Sequence, residues 1–254
     1  MESVSFIYII FLILIEKRSK MKKAEMRLWE KDIEYYDKKS IEVNTLFKLT
    51  NFKNKKVLDV GCGIARLTLP LAKYAKEIIA VDKDKDIINY NKSHKKRKNI
   101  DYILSDIREF KEKEFDIALL AQPSYNNFDK NLLSINNALK KKGKLIVVRW
   151  IDKENDYNSL LTPFWDKDKK LMKKVKGFSK YFIKTIKNHF KIKKIKLIKT
   201  YYSYPNEQLL IKNIINDSPK KFTEKDFVLL NKLLEKYSYK KINISMKAYL
   251  CEKN

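Results

Sequence analysis

The sequence predicts an α/β fold: a seven-stranded, mostly parallel sheet with helices on both faces and a helical elaboration toward the C-terminus. Three observations predict it. Short apolar runs lead into acids at Asp59, Asp82 and Asp106; stretches with helical spacing separate these runs; and the first run opens into Gly61-Cys62-Gly63. Strands alternating with helices at this spacing pair in parallel, because each helix returns the chain across a sheet face.

Taken in order, Met26, Trp29, Ile33 and Tyr36 recur every three to four residues and predict an amphipathic helix, continued after Ser40 through Val43 and Phe47. Lys56 to Val60 is the first buried strand. Leu67, Leu71 and Tyr74 give the next helix its face, with Pro70 bending it or marking its first turn. Glu77 to Val81 is the second strand, and Asp84 to Lys92 a helix carrying Ile87, Ile88 and Tyr90. The third strand runs from Ile100 to Leu104 and the fourth from Phe115 to Ala121. A helix through Leu132, Ile135 and Leu139 leads past Gly143 into a fifth strand, Lys144 to Val148.

Beyond Trp150 the pattern changes. Leu171, Val175, Phe178, Phe182 and Ile186 describe a longer helix. Phe190 to Tyr202 mixes lysine with isoleucine, as a strand near a sheet edge does, since lysine there opposes aggregation. Pro205 to Ile215 and Thr223 to Tyr237 are helices, the second opened by the loose capping box Thr223-x-x-Asp226. Ile242 to Leu250 is the last strand.

A chain of 254 residues with 44% hydrophobic content can bury one full core. It is expected to form a single domain over 21–254, with 151–240 carrying cap or insert helices. The net charge of +26 points toward nucleic acid or an anionic surface, but only six of the cations are arginine. A surface that reads phosphate favours the bidentate arginine fork, so the charge is a weaker signal than its size implies. Lys95-Lys96-Arg97-Lys98 and Lys140-Lys141-Lys142 fall at helix ends, where cations offset the dipole. An RNA substrate would need them to share one face with the ligand mouth.

Cys62 and Cys251 give no disulfide framework, and with His94 and His189 standing alone no metal site is expected. This suits a reducing, cytoplasmic setting. Residues 1–20 are separate in character. Val4 to Ile15 is apolar apart from Ser5, but as a helix it falls well short of the ~30 Å hydrocarbon thickness. It reads either as a short membrane-associating tail or, preferably, as preceding a true start at Met21.

The chemistry centres on Asp59-Val60-Gly61-Cys62-Gly63-Ile64-Ala65. Glycines after a buried strand let the backbone approach a ligand, and the following N–H groups can meet an anionic group. A dinucleotide loop needs glycine where Arg66 stands, and arginine opposes the close helix-to-strand packing glycine permits. The remaining pattern, acid-x-Gly-x-Gly, resembles the class I, Rossmann-like methyltransferase family, specifically over residues 55–150 and more loosely beyond. The family's third glycine is Ala65 here.

That resemblance implies S-adenosylmethionine as cofactor, held by Asp59, Gly61, Cys62, Gly63, Asp82, Lys83, Asp106, Ile107 and Gln122. Asp59 meets the ammonium of the methionyl part, directly or through water. Asp82, 23 residues on, accepts both ribose hydroxyls, and Asp106 with the Ile107 N–H takes the adenine. All lie on the carboxyl edge of the sheet. Gln122-Pro123-Ser124-Tyr125 is similar to the N-P-P-Y loop of amino-directed methyltransferases at Pro123 and Tyr125 only, which makes Tyr125 the candidate acceptor contact. Trp29 and Tyr36 are core aromatics or close over the cofactor. A small or undetermined acceptor is expected first, RNA or protein second, and a non-catalytic cofactor-binding module third.

Overall fold

In a computed structural model, residues 33–124, 126–151, 155–164, 180–217 and 222–253 are described. Seven strands form one sheet: β1 (Lys56–Val60), β2 (Glu77–Asp82), β3 (Ile100–Leu104), β4 (Phe115–Ala121), β5 (Leu139–Trp150), β6 (Phe190–Tyr202) and β7 (Ile242–Lys253). Their order is β3-β2-β1-β4-β5-β7-β6. The pairs from β3 to β5 are parallel, whereas β7 runs antiparallel to both β5 and β6.

The strand period of two divides the core into two layers. In β1, Val57 faces a cluster with Leu46, Leu71 and Leu210, while Leu58 faces another with Leu132, Ile135 and Phe182. Leu46 belongs to helix α1 (Ile41–Leu49) and Leu71 to α2 (Thr68–Leu71). The helix α3 (Lys85–His94) follows β2, α4 (Phe128–Ala138) follows β4, and a short α5 (Asp156–Leu161) follows β5. Leu210 lies on α6 (Glu207–Asp217), and α7 (Glu224–Leu234) completes the set under its Thr223–Asp226 capping box. Residues 180–189 are helical and carry Phe182 and Ile186 into the second layer. β6 closes the sheet as an edge strand with lysines outward, as its composition predicts.

Three expectations are corrected, and one short helix was not foreseen. The helix after the glycine loop is a single turn, α2, and Tyr74 is exposed, because the chain folds as consecutive turns up to Leu67 and Pro70 supplies no N–H donor to lengthen it. β5 begins at Leu139 rather than Lys144; Leu139 leaves the preceding helix to pair with Phe115, and a register shift before Ile117 absorbs the mismatch. Tyr36 leaves the first helix and bridges to Tyr202 across β6. The turn at α5 carried no periodicity long enough to announce it. The expected segments at 26–32 and 171–179 and the apolar run at 4–15 lie outside the described residues. Among the described residues no helix is long and apolar enough to cross a membrane.

The bulge near the start of β5 stores removable strain. Lys142 is exposed and holds φ 59°, in the left-handed region that costs an L-residue about 1–2 kcal/mol. Glycine removes that cost at some expense in unfolded-state entropy. Lys142→Gly is therefore expected to raise stability by about 0.5–1 kcal/mol and Tm by roughly 1–3 °C. A melting curve at or below that of the parent protein would count against this account.

Candidate functional site

The loop after β1 turns sharply because two of its residues are glycines at positive φ, Gly61 at 68° and Gly63 at 50°. The Gly61 and Cys62 N–H groups donate to the Val81 carbonyl at 2.8 and 3.1 Å, which ties the loop to the end of β2. Gly63 N–H donates to Asp82 Oδ2 at 3.0 Å, and Asn91 Nδ2 on α3 holds the Gly63 carbonyl at 2.7 Å. A Cβ placed on either glycine meets nothing within 4 Å, so the loop borders an open cradle. Ala65, where the resembling family has glycine, also adopts positive φ (64°), and its methyl is fully buried. The departure costs about 1 kcal/mol of backbone strain and leaves the turn intact.

Three acids ring this cradle at successive strand ends. Asp59 is buried and accepts from Thr68 Oγ1 at 2.6 Å. Burial pushes its pKa up to about 6; the Thr68 hydrogen bond and the Arg66 charge oppose the rise, and Asp82 adds to it. Asp82 takes the Gly63 N–H on one oxygen and the Asp84 N–H on the other at 3.0 Å, and burial raises its pKa too. Each oxygen keeps a second lone pair for a ligand hydroxyl. Asp106 is gripped by Arg108, whose Nε and Nη2 reach its two oxygens at 2.9 and 2.6 Å and hold its pKa down. The neighbouring Ile107 N–H has no hydrogen-bond partner among the described residues.

The remaining candidates divide. Cys62 is buried, its Sγ taking a long contact from Asn91 Nδ2. Lys83 is exposed, and its charge acts on both Asp82 and Asp106. Gln122 is engaged within the sheet through its side chain. Its φ of 52° turns the side chain back into the sheet, where Oε1 accepts from Trp150 N–H at 3.1 Å and Nε2 meets Met246 Sδ at 3.4 Å. Gln122→Ala is thus expected to cost about 1–3 kcal/mol of stability by removing a buried hydrogen bond, with cofactor affinity unchanged. Denaturant melts together with calorimetric titration check it; the reverse pattern would return Gln122 to the ligand. Tyr125 and Trp29 lie outside the described residues.

Two residues, Glu42 and Asn91, escaped sequence reasoning. The Arg66 guanidinium packs 5.1 Å from the Tyr36 ring centre and pairs with Glu42, whose side chain is fully buried on α1. Tyr36 OH donates to the same Glu42 oxygen at 2.9 Å. This bridge ties α1 to the turn after the glycine loop, so Arg66 fixes the site's outer wall as well as excluding a dinucleotide loop. For Asn91 a signal existed: it sits four residues after Ile87 on a buried helix face, where a polar side chain needs a partner.

A model of the family described as "Methyltransferase domain" matches residues 51–191. The chain is 30% identical over 142 residues to "Putative methyltransferase 235L" of Invertebrate iridescent virus 6, covering 54% of this chain and 51% of that protein. It is 33% identical over 84 residues to ribosomal RNA small subunit methyltransferase A of Wigglesworthia glossinidia brevipalpis, covering 31% of this chain and 30% of that one. The chain thus spans about half or less of the length of these curated relatives. The crystal structure of the YcgJ protein of Bacillus subtilis shares the fold at TM-score 0.55 and 16% identity, covering 84% of this chain and 97% of that one. With the family model matched across the glycine loop and all three acids, the chain belongs to the methyltransferase-domain family.

Proposed function

We propose that this protein is an S-adenosylmethionine-dependent methyltransferase of the class I, Rossmann-like type, acting on a small-molecule acceptor. The observation that carries it is the set of Asp59, Asp82 and Asp106 at three successive parallel strand ends around the open glycine loop. Asp59, ionised, holds the ammonium; Asp82 takes the ribose hydroxyls while keeping the loop in place; Ile107 N–H and Asp106 orient the adenine. The bound cofactor supplies an activated sulfonium methyl. The protein's work is then placement: in-line positioning of donor and acceptor supplies much of the rate without a covalent catalyst. Tyr125, after β4, is the proposed acceptor contact.

The small-molecule reading rests on charge. The carboxyl edge sets Asp59, Asp82, Asp84, Asp86 and Asp106 beside only Lys83, Lys85 and Arg108, which gives no cation excess to hold a phosphate polymer, whereas Lys96 to Lys98 precede β3 and Lys140 to Lys142 fall in the bulge near the start of β5, both on the opposite edge. The second reading, RNA as acceptor, is favoured by the ribosomal RNA relative. The single-domain organisation over 21–254, with 151–240 capping the acceptor, and a cytoplasmic setting consistent with two buried free thiols, belong to the same proposal.

Transfer of labelled methyl from S-adenosylmethionine into cell extract tests it. Label surviving both ribonuclease and protease is expected. Loss on ribonuclease treatment would shift the acceptor to RNA, and no transfer by a protein that binds the cofactor would leave a binding module.

A further inference from the structure

A cleft of about 140 Å³ lies at the amino edge of the sheet, the end away from the glycine loop, between the α1–β1 connection and the bulged start of β5. Its walls carry Lys55 on one side and Lys140, Lys141, Lys142 and Lys144 on the other. Gly143 makes this crowding possible, since a Cβ there would stand 2.8 Å from the Lys140 carbonyl. Asp116, on the floor, is already engaged: one oxygen accepts from Lys56 N–H at 2.8 Å and the other meets Lys140 Nζ at 3.2 Å. Lys144 Nζ donates to Thr50 Oγ1 at 3.1 Å. Lys55, Lys141 and Lys142 have no ion-pair partner among the described residues.

These cations are not isolated on their edge. Lys96, Arg97 and Lys98 are exposed just before β3, on the same edge of the sheet as the bulged start of β5. Four strand spacings separate β3 from β5 in the sheet order, about 19 Å at ~4.8 Å each. A single phosphate fills one end of such a track, whereas a polymer with regularly spaced phosphates can occupy both. Lysines meet phosphate as point charges, which suits positioning along a backbone rather than reading bases.

We propose that the amino edge, centred on Lys55, Lys141 and Lys142, is a sequence-blind docking surface for the phosphodiester backbone of a nucleic-acid strand. It is independent of methyl transfer: the docked strand lies at the far end of the strands from the cradle and is a tether, not the methylated atom's carrier.

Fluorescence anisotropy with a labelled 20-nucleotide oligouridylate, and with its oligothymidylate counterpart, over a range of salt concentrations tests the proposal. The triple variant Lys55→Gln, Lys141→Gln, Lys142→Gln is expected to bind at least one of them roughly tenfold more weakly and to flatten the log–log salt slope by about 2, from three lost phosphate contacts at ~0.7 each. A control triple with equal charge loss, Lys212→Gln, Lys225→Gln, Lys232→Gln on α6 and α7, should keep the parent slope. S-adenosylmethionine titration of both triples verifies folding. Equal losses in the two triples, an unchanged slope in the first, or binding to phosphatidylserine vesicles with none to either oligonucleotide would overturn the assignment.

Discussion

Asp82→Ala is expected to weaken S-adenosylmethionine binding by a factor on the order of 10² to 10³ in calorimetric titration, with the fold retained. Two losses combine. The carboxylate can accept a charge-assisted hydrogen bond from each ribose hydroxyl, worth about 1.5–2 kcal/mol apiece at the lower end of the range for such bonds, and together these amount to about 3–4 kcal/mol, or two to three decades in Kd. It also fastens the loop, since Gly63 N–H and Asp84 N–H both end on it. Asp82→Asn separates the contributions. Its one remaining carbonyl oxygen can accept from only part of this set, so its affinity should fall between those of the parent and the alanine variant. Parent-like affinity in Asp82→Ala would remove the ribose role and, with it, the main support for the cofactor assignment.

What could be read from the chain follows from the range over which its signals act. The strands were legible because a buried parallel strand is a short apolar run, and β1 through β4 match those runs nearly residue for residue. The glycine loop and its acids were legible because local spacing sets both. The outer wall was not. Glu42 and Arg66 are 24 residues apart and their pairing is decided by how α1 lies against the loop, which no local pattern encodes. Gln122 shows a related limit: its place at a strand end was legible, but the contacts of its side chain with Trp150 and Met246, 28 and 124 residues away, were not. The lysine clusters required the sheet order before their shared edge could be seen. The structure then placed them opposite the mouth, which separated a possible docking role from catalysis.

The second large effect concerns Asp59, where stability and binding should move in opposite directions. Its folded pKa of about 6 lies above the usual 3.8, chiefly because burial penalises the charge. The folded state therefore binds this proton more tightly than the unfolded state does. The protonated carboxyl's stabilisation is complete below about pH 3.8 and is lost as pH rises through about 6. Above that the cofactor-free protein carries a buried charge costing about 3 kcal/mol. Asp59→Asn removes the charge and can keep the Thr68 Oγ1 hydrogen bond, so it should raise Tm clearly at pH 7.5 and little at pH 4. Affinity should show the opposite trend, because the ligand ammonium is what offsets that charge. Parent affinity should strengthen about tenfold per pH unit up to about 6 and then level, with proton release on binding near that pH. Asp59→Asn should bind more weakly and without this dependence. A variant no more stable than the parent at pH 7.5 would show that ionised Asp59 is already compensated in the free protein. An unchanged pH profile for binding would show that the ammonium is held elsewhere.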